Sequence, residues 1–268
     1  MSPAASPRDP TTRFTDRVQD YVRTRPGYPA AVLDALRTDL GLRPEHAVAD
    51  VGSGTGLLSR LFVENGNAVY GVEPNQAMAA VAVADFGPTG RFHPIAGRAE
   101  ATGLDAASVD LVTAGQAFHW FSVPEARVEF ERVLRPGGGV ALVWNLRRLD
   151  SSPFLREYEA FLRRWSTDYE EVSQRYAEPG ALRGLFGPGG WREHVFDNVQ
   201  RFDLEALRGR LLSSSYTPRE GDPRRAPMLA ELPRLFEAHA REGRVEFEYD
   251  TRLFVGRLSS SRPGRTLY

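Results

Sequence analysis

The 268-residue chain contains neither cysteine nor lysine. Without cysteine there is no disulfide, no thiolate zinc site, no iron–sulfur cluster and no thiol nucleophile. Without lysine there is no Schiff base, no anchor for pyridoxal phosphate and no P-loop. An excess of one charge is missing too: 34 basic and 35 acidic residues leave a formal net charge of -1, so no broad basic field is on offer to nucleic acid. Nor does any stretch approach the roughly 18 to 20 continuous apolar residues of a membrane-spanning helix. The polar, proline-broken start from Met1 to Pro10 reads as neither a signal peptide nor a span. These absences predict a cytoplasmic protein, with a disordered leader over 1–12 and a loose tail over 259–268.

What is present suffices for a core, since 41% of residues are hydrophobic and 26% charged. The pattern predicts one domain over 13–258. Val32, Leu33, Leu36 and Leu40 share a helix face that ends at Gly41. Ahead of it, Arg25-Pro26-Gly27-Tyr28-Pro29 is a stiff extended segment, suited equally to covering a pocket or to connecting elements.

From Ala47 to Asn145 strands and helices alternate. Strands are expected at Ala47–Val51, Ala68–Val72, Arg91–Ile95, Val109–Ala114 and Val140–Trp144, and helices at Leu57–Asn65, Asn75–Ala84 and about Pro124 to Leu134. Such alternation means βαβ units and a parallel sheet. Beyond it, Pro153–Trp165 carries an aromatic stripe at helical spacing, more often core than ligand box. Strands follow at about Glu193–Phe202 and Arg244–Leu258, separated by helices at Leu204–Ser213 and Ala226–Arg241, the latter broken near Pro233.

The densest functional signal is Asp50-Val51-Gly52-Ser53-Gly54-Thr55-Gly56, three alternating glycines between a strand and a helix. Such a turn fits dinucleotides or S-adenosylmethionine. A dinucleotide needs G-x-G-x-x-G with its pyrophosphate on the helix N-terminus, and Leu57 stands where the third glycine would fall. Asp50 would repel a pyrophosphate, yet it could accept from an ammonium group or a water beside it. Glu73, closing the second strand, stands where a carboxylate receives ribose hydroxyls, which serves either class.

Asp50 to Gly56, Gly71-Val72-Glu73-Pro74, Val109-Asp110-Leu111-Val112 and Arg132-Val133-Leu134-Arg135-Pro136-Gly137-Gly138 together resemble the ordered motifs of class I S-adenosylmethionine-dependent methyltransferases. Gln116-Ala117-Phe118-His119-Trp120-Phe121, with Arg25-Pro26 and Tyr28-Pro29, is similar to a narrower methyltransferase type 11 group that includes trans-aconitate methyltransferases. The resemblance implies an α/β fold: a doubly wound, mostly parallel, seven-stranded Rossmann-like sheet. Helical lids are implied at about 13–41, 150–185 and 204–242. It places Asp50, Gly52, Ser53, Gly54, Gly56, Glu73 and Pro74 at the cofactor, Ala99 and Glu100 near the adenine, and Gln116 near the methionine end. Where many relatives carry an acid at position 98, this chain has Arg98, leaving backbone amides for the adenine amino group.

Methyl transfer from a sulfonium is an in-line displacement, so the protein must align the acceptor, exclude water and remove a proton where one is carried. Phe118, Trp120 and Phe121 would supply an aromatic wall that attracts the sulfonium. His119 is the candidate general base, beside the alternative of a histidine that only shapes the pocket. A carboxylate acceptor would need no base and would pair with an arginine such as Arg25 or Arg17, with Tyr28 alongside. No metal ligands are expected, because Gly115-Gln116 offers no acid where metal-dependent catechol methylation wants one.

Cytosine-C5 chemistry lacks its cysteine, and amino-methylation of bases lacks a Pro-Pro-aromatic motif. What remains is a small organic molecule, methylated on an oxygen in preference to a nitrogen or carbon, by a monomer or homodimer that yields S-adenosylhomocysteine. A non-catalytic S-adenosylmethionine sensor and a nicotinamide-dependent oxidoreductase are the two alternatives. The other histidines, 46, 93, 194 and 239, read as structural or exposed.

Overall fold

A computed structural model describes residues 24–167, 169, 179–214 and 216–258. The leader, the tail and Arg17 lie outside the described residues, as do parts of the lid segments expected over 13–41 and 150–185. Seven strands form one sheet: β1 (Ala47–Val51), β2 (Ala68–Val72), β3 (Phe92–Ile95), β4 (Val109–Gly115), β5 (Leu134–Arg147), β6 (Arg192–Phe202) and β7 (Val245–Gly256). Their order is β3-β2-β1-β4-β5-β7-β6. The pairs β1–β2, β1–β4, β2–β3 and β4–β5 are all parallel. The order reverses direction at β1, and that is where an open α/β sheet leaves a crevice at its carboxyl edge.

Two compact units divide the chain. The first comprises 30–143, 177–194 and the described residues of 253–268. It carries the helices α1 (Ala31–Leu40), α2 (Ser59–Asn65), α3 (Gln76–Phe86), α4 (Val123–Val133) and α6 (Pro179–Phe186). All five residues of β1 are buried, as expected of a central strand covered on both faces. Gly41, in the left-handed region at φ 71°, ends α1 as expected. Asp39, on α1, receives Arg192 at 2.6 Å and His194 at 2.7 Å, so His194 is structural.

The second unit comprises the described residues of 1–29, 144–176 and 195–252, with α5 (Pro153–Trp165), α7 (Leu204–Leu212) and α8 (Arg225–His239). The aromatic stripe of α5 is core: Phe154, Tyr158, Phe161 and Leu162 pack with Phe202, Leu232 and Phe247. The proline-rich segment is stitched into this unit, since the Gly27 carbonyl accepts from Asn145 Nδ2 at 3.1 Å and from Asn198 Nδ2 at 2.8 Å.

Several details differ from expectation, and three of them have a cause that the structure shows. Strand β5 starts at Leu134, not Val140, because Leu134 pairs with Val109 before the register jumps to Gly139 opposite Leu111; the intervening Arg135–Gly138 bulge out. Helix α2 starts at Ser59 rather than Leu57, since the glycine turn runs on through Gly56 at φ 82°. Helix α8 continues through Pro233, where Leu232, Leu235 and Phe236 are buried on either side of the proline and hold the helix on course.

Gly71 in β2 is a packing constraint. A Cβ there would sit 2.6 Å from Phe92 Cε2 and 3.1 Å from Ser53 Oγ. Gly71→Ala should therefore destabilise by about 1 to 3 kcal/mol through overpacking, read as a lowered melting temperature. An unchanged melting temperature would show that Phe92 moves aside freely.

Candidate cofactor site

The glycine loop runs from the end of β1 back against the end of β2. Gly52 N and Ser53 N both donate to Val72 O, at 2.8 and 3.2 Å. Gly52 and Gly56 hold φ values of 68° and 82°, a region L side chains rarely adopt. Space forbids side chains there as well. A Cβ on Gly52 would lie 2.6 Å from Ala117 Cβ, and one on Gly56 would lie 2.6 Å from the Phe86 ring.

Glu73 is the brace. Its Oε2 accepts from Gly54 N at 2.9 Å and its Oε1 from Asn75 N at 2.8 Å. One carboxylate thus joins the loop to the start of α3, where Asn75 caps the helix by accepting from Ala77 N and Met78 N. Burial raises the Glu73 pKa, and the two backbone N–H donors oppose that shift.

Asp50 is wholly buried behind the loop. Its Oδ2 accepts from Ser59 Oγ at 2.6 Å, while Oδ1 has no partner among the described residues. Burial pushes its pKa up to about 7; the Ser59 hydrogen bond works against this and the nearby Glu73 charge adds to it. Ser53 Oγ and Thr55 Oγ1 are likewise buried without partners. Three orphan polar atoms around a glycine cradle are costly unless something polar completes them. This donor and acceptor set fits a nucleoside cofactor with a polar amino-acid end.

The other predicted residues fall on two neighbouring loops. After β3, Arg98 and Ala101 exchange backbone hydrogen bonds at 3.1 Å, a tight turn that presents the buried Ala99 and the half-buried Glu100. Glu100 Oε1 accepts from Ser122 N at 2.7 Å, tying this turn to the start of α4. After β4, Gln116 has a φ of 57°, uncommon for a residue with a side chain, and its N–H donates to Val143 O at 3.0 Å. A single 3-10 turn over Phe118–Trp120 follows.

Within that turn the side chains divide. Phe118 is buried and meets Phe121 edge to face at 5.9 Å, while Phe121 and Trp120 are partly exposed. His119 is exposed, its ring 4.8 Å from that of Trp120. Arg25 and Tyr28 belong to the second unit, whereas the other described candidates belong to the first.

Sequence reasoning missed Ser59 and Glu129. Ser59 was detectable as a small polar residue on the inner face of the helix after the loop. Glu129 carried no such signal, because Glu129-x-x-Arg132 looks like an ordinary surface pair. In the fold Glu129 Oε1 accepts from Thr102 N and Oγ1, at 2.8 and 2.6 Å, and pins the turn that carries Ala99 and Glu100. Arg132, chiefly, holds the Glu129 carboxyl down to about 2.

Among the described residues no group of three or more His, Cys, Asp or Glu side chains is placed to hold a metal ion. No helix there is long and apolar enough to cross a membrane.

The Asp50 shift has a sign that can be checked. An unfolded aspartate ionises near pH 4, while the folded one keeps its proton to about 7. Between those values the folded state binds the extra proton, so stability falls as pH rises and levels off above about 7. Asp50→Asn, which keeps an acceptor for Ser59, should gain on the wild type across that window, by on the order of 4 kcal/mol at its top. Melting temperatures of both proteins from pH 4 to 8 test this, and a constant difference would remove the buried-carboxyl account.

The comparisons with known proteins agree with this fold. The family model described as "Methyltransferase domain" matches residues 49–142. A methyltransferase-like protein of Schizosaccharomyces pombe is 30% identical over 223 residues, covering 82% of this chain and 84% of that one. An uncharacterized methyltransferase of Mycobacterium tuberculosis is 41% identical over 142 residues, covering 53% of this chain and 56% of its own length. A solved structure described as a type II methyltransferase, from Anaeromyxobacter dehalogenans, superposes with a TM-score of 0.64 at 27% identity, covering 87% of this chain and 98% of that one. The chain belongs to the class I S-adenosylmethionine-dependent methyltransferases.

Proposed function

We propose that this enzyme methylates an oxygen, of a carboxylate or a hydroxyl, on a small organic molecule. The single domain over 13–258 would have its helical insertions after β5 and β6 acting as lids. The observation that carries the cofactor assignment is the cluster of orphan polar atoms at Asp50, Ser53 and Thr55 beside a Glu73-braced glycine loop. When bound, S-adenosylmethionine supplies an electrophilic methyl group on a sulfonium.

The chain's own residues do the rest. Gly52, Gly54 and Gly56 let the backbone approach the ligand, with Ser53 completing its hydrogen bonds there. Glu73, beside Pro74, receives the ribose hydroxyls. Asp50 Oδ1 accepts from the ammonium group or a water beside it, and Gln116 faces the methionine end. Ala99 and the backbone near Glu100 bound the adenine. Trp120 and Phe121, with Phe118 behind them, exclude water and face the sulfonium charge.

His119 is exposed beside that wall, where an imidazole can take the proton of a hydroxyl acceptor. A carboxylate acceptor needs no base, and Arg25 with Tyr28 would then position it. The absence of cysteine and of an acid at Gly115-Gln116 supports this choice over cytosine-C5 or metal-assisted catechol chemistry.

Calorimetric titration with S-adenosylhomocysteine tests the cofactor residues. Glu73→Ala should weaken binding roughly tenfold to a hundredfold, the loss of a buried charge-assisted hydrogen bond of about 1.5 to 3 kcal/mol. Binding indifferent to Glu73 would remove it from the site.

The acceptor side is tested by turnover. His119→Ala should slow methylation of a hydroxyl substrate by about a hundredfold or more and leave S-adenosylhomocysteine binding unchanged. Full turnover in that variant would end the proton-abstracting role.

A further inference from the structure

The turn that follows β3 and the helix α4 hold each other by two carboxylates that reach in opposite directions. From the helix, Glu129 Oε1 accepts from Thr102 N and Oγ1 at 2.8 and 2.6 Å. From the turn, Glu100 Oε1 accepts at 2.7 Å from the N–H of Ser122, the N-cap residue of α4.

The second of these bonds is not the one that the local sequence offers. Ser122-Val123-Pro124-Glu125 has the pattern of a capping box, in which the carboxylate of the third helical residue takes the backbone N–H of the N-cap. Glu125 accepts from Ser122 Oγ instead, and Ser122 N goes to a carboxylate 22 positions earlier in the chain. A helix start that its own residues could close is thus closed from the turn that carries Ala99. An ionised acceptor and the dipole of α4 both strengthen that tether.

Ser122 directly follows the aromatic segment. There Trp120 N donates to Ala117 O and Phe121 N to Phe118 O, at 2.9 and 3.0 Å. Both ends of this turn rest on the glycine loop: a Cβ on Gly52 would lie 2.6 Å from Ala117 Cβ and 3.8 Å from the Phe121 ring. Phe121 also meets Phe130 of α4 edge to face at 6.3 Å. The aromatic segment is therefore supported by the glycine loop through packing at Gly52, and by the turn after β3 through Glu100 and Ser122.

We propose that Glu100 is a positioning residue for methyl transfer: by holding Ser122 N it makes the placing of Phe121 and Trp120 depend on an occupied cofactor site, so that the acceptor binds second. A nucleoside packed on the turn at Ala99 restrains Glu100, one residue on, and Glu100 restrains the end of the aromatic segment. The wall is then set by the cofactor before an acceptor meets it. This rests on the reading of Phe118 to Phe121 as the acceptor side of an S-adenosylmethionine site.

The test follows amide hydrogen exchange in the full chain by mass spectrometry, for the wild type, Glu100→Ala and Glu100→Gln. Each is measured alone and with S-adenosylhomocysteine at a concentration that calorimetry shows to be saturating. In the wild type the ligand should slow exchange at 51–58 and at 117–123. In Glu100→Ala the protection at 51–58 should remain, while that at 117–123 should shrink about tenfold to a hundredfold, the loss of one charge-assisted hydrogen bond. Glu100→Gln keeps an oxygen that can accept from Ser122 N, so it should regain protection that Glu100→Ala lacks. Glu125 can cap α4 in place of Glu100, so ligand-free exchange over 124–133 should be the same in all three proteins.

Equal ligand protection at 117–123 in the wild type and Glu100→Ala would overturn the proposal, because the ligand would then order the segment by direct contact. Wild-type protection confined to 51–58, or a Glu100→Gln that behaves as Glu100→Ala, would overturn it as well. So would faster ligand-free exchange throughout α4 in Glu100→Ala, which would mark Glu100 as a support of the fold. Absence of protection at both segments, with no heat of binding, would instead remove the cofactor reading itself and the proposal with it.

Discussion

The hydrogen bonds that Glu73 accepts from Gly54 and Asn75 are the constraint on which the first unit turns. They fix a loop that cannot fix itself, because three glycines carry no side chains to anchor it. Val72 O already receives Gly52 and Ser53, so strand β2 supplies one backbone acceptor and one side-chain acceptor to the same turn. The parallel pairing of Val51 with Val72 sets both at the right height. The loop is thus as rigid as the strands that flank it, which is the condition for presenting a backbone to a ligand without first ordering it.

That rigidity places two carboxylates in one buried neighbourhood. Glu73 shares the cost between two backbone donors, whereas Asp50 has Ser59 alone and retains its proton to about pH 7. Burial pushes both carboxyls up, Asp50 to about 7, and acids perturbed in this way cluster at functional sites. The second unit solves burial differently. Asn145 Oδ1 accepts from Thr251 Oγ1 at 2.5 Å and from Asn198 Nδ2 at 3.2 Å, so three strands are locked by neutral groups.

The five central strands, the helices between them and the cofactor loop were legible because each rests on local pattern: apolar runs, glycine at positive φ, an acid at a strand end. The first part of strand β5 escaped because the bulge at Arg135–Gly138 depends on pairing with Val109 and Leu111, which no local pattern encodes. Phe118 read as pocket wall because six consecutive residues without periodicity do not say which ring points inward; the 3-10 turn decides it. Glu129 escaped because Thr102, which it holds, lies 27 positions away in the sequence.

The asymmetry between donor and acceptor follows. A cofactor common to many enzymes is held largely by backbone geometry, and backbone geometry leaves a regular mark on sequence: glycine where space or φ demands it. An acceptor is chosen by side chains drawn from distant segments. Only folding brings such segments together, so the acceptor side of a site is the part that a linear reading is least able to see.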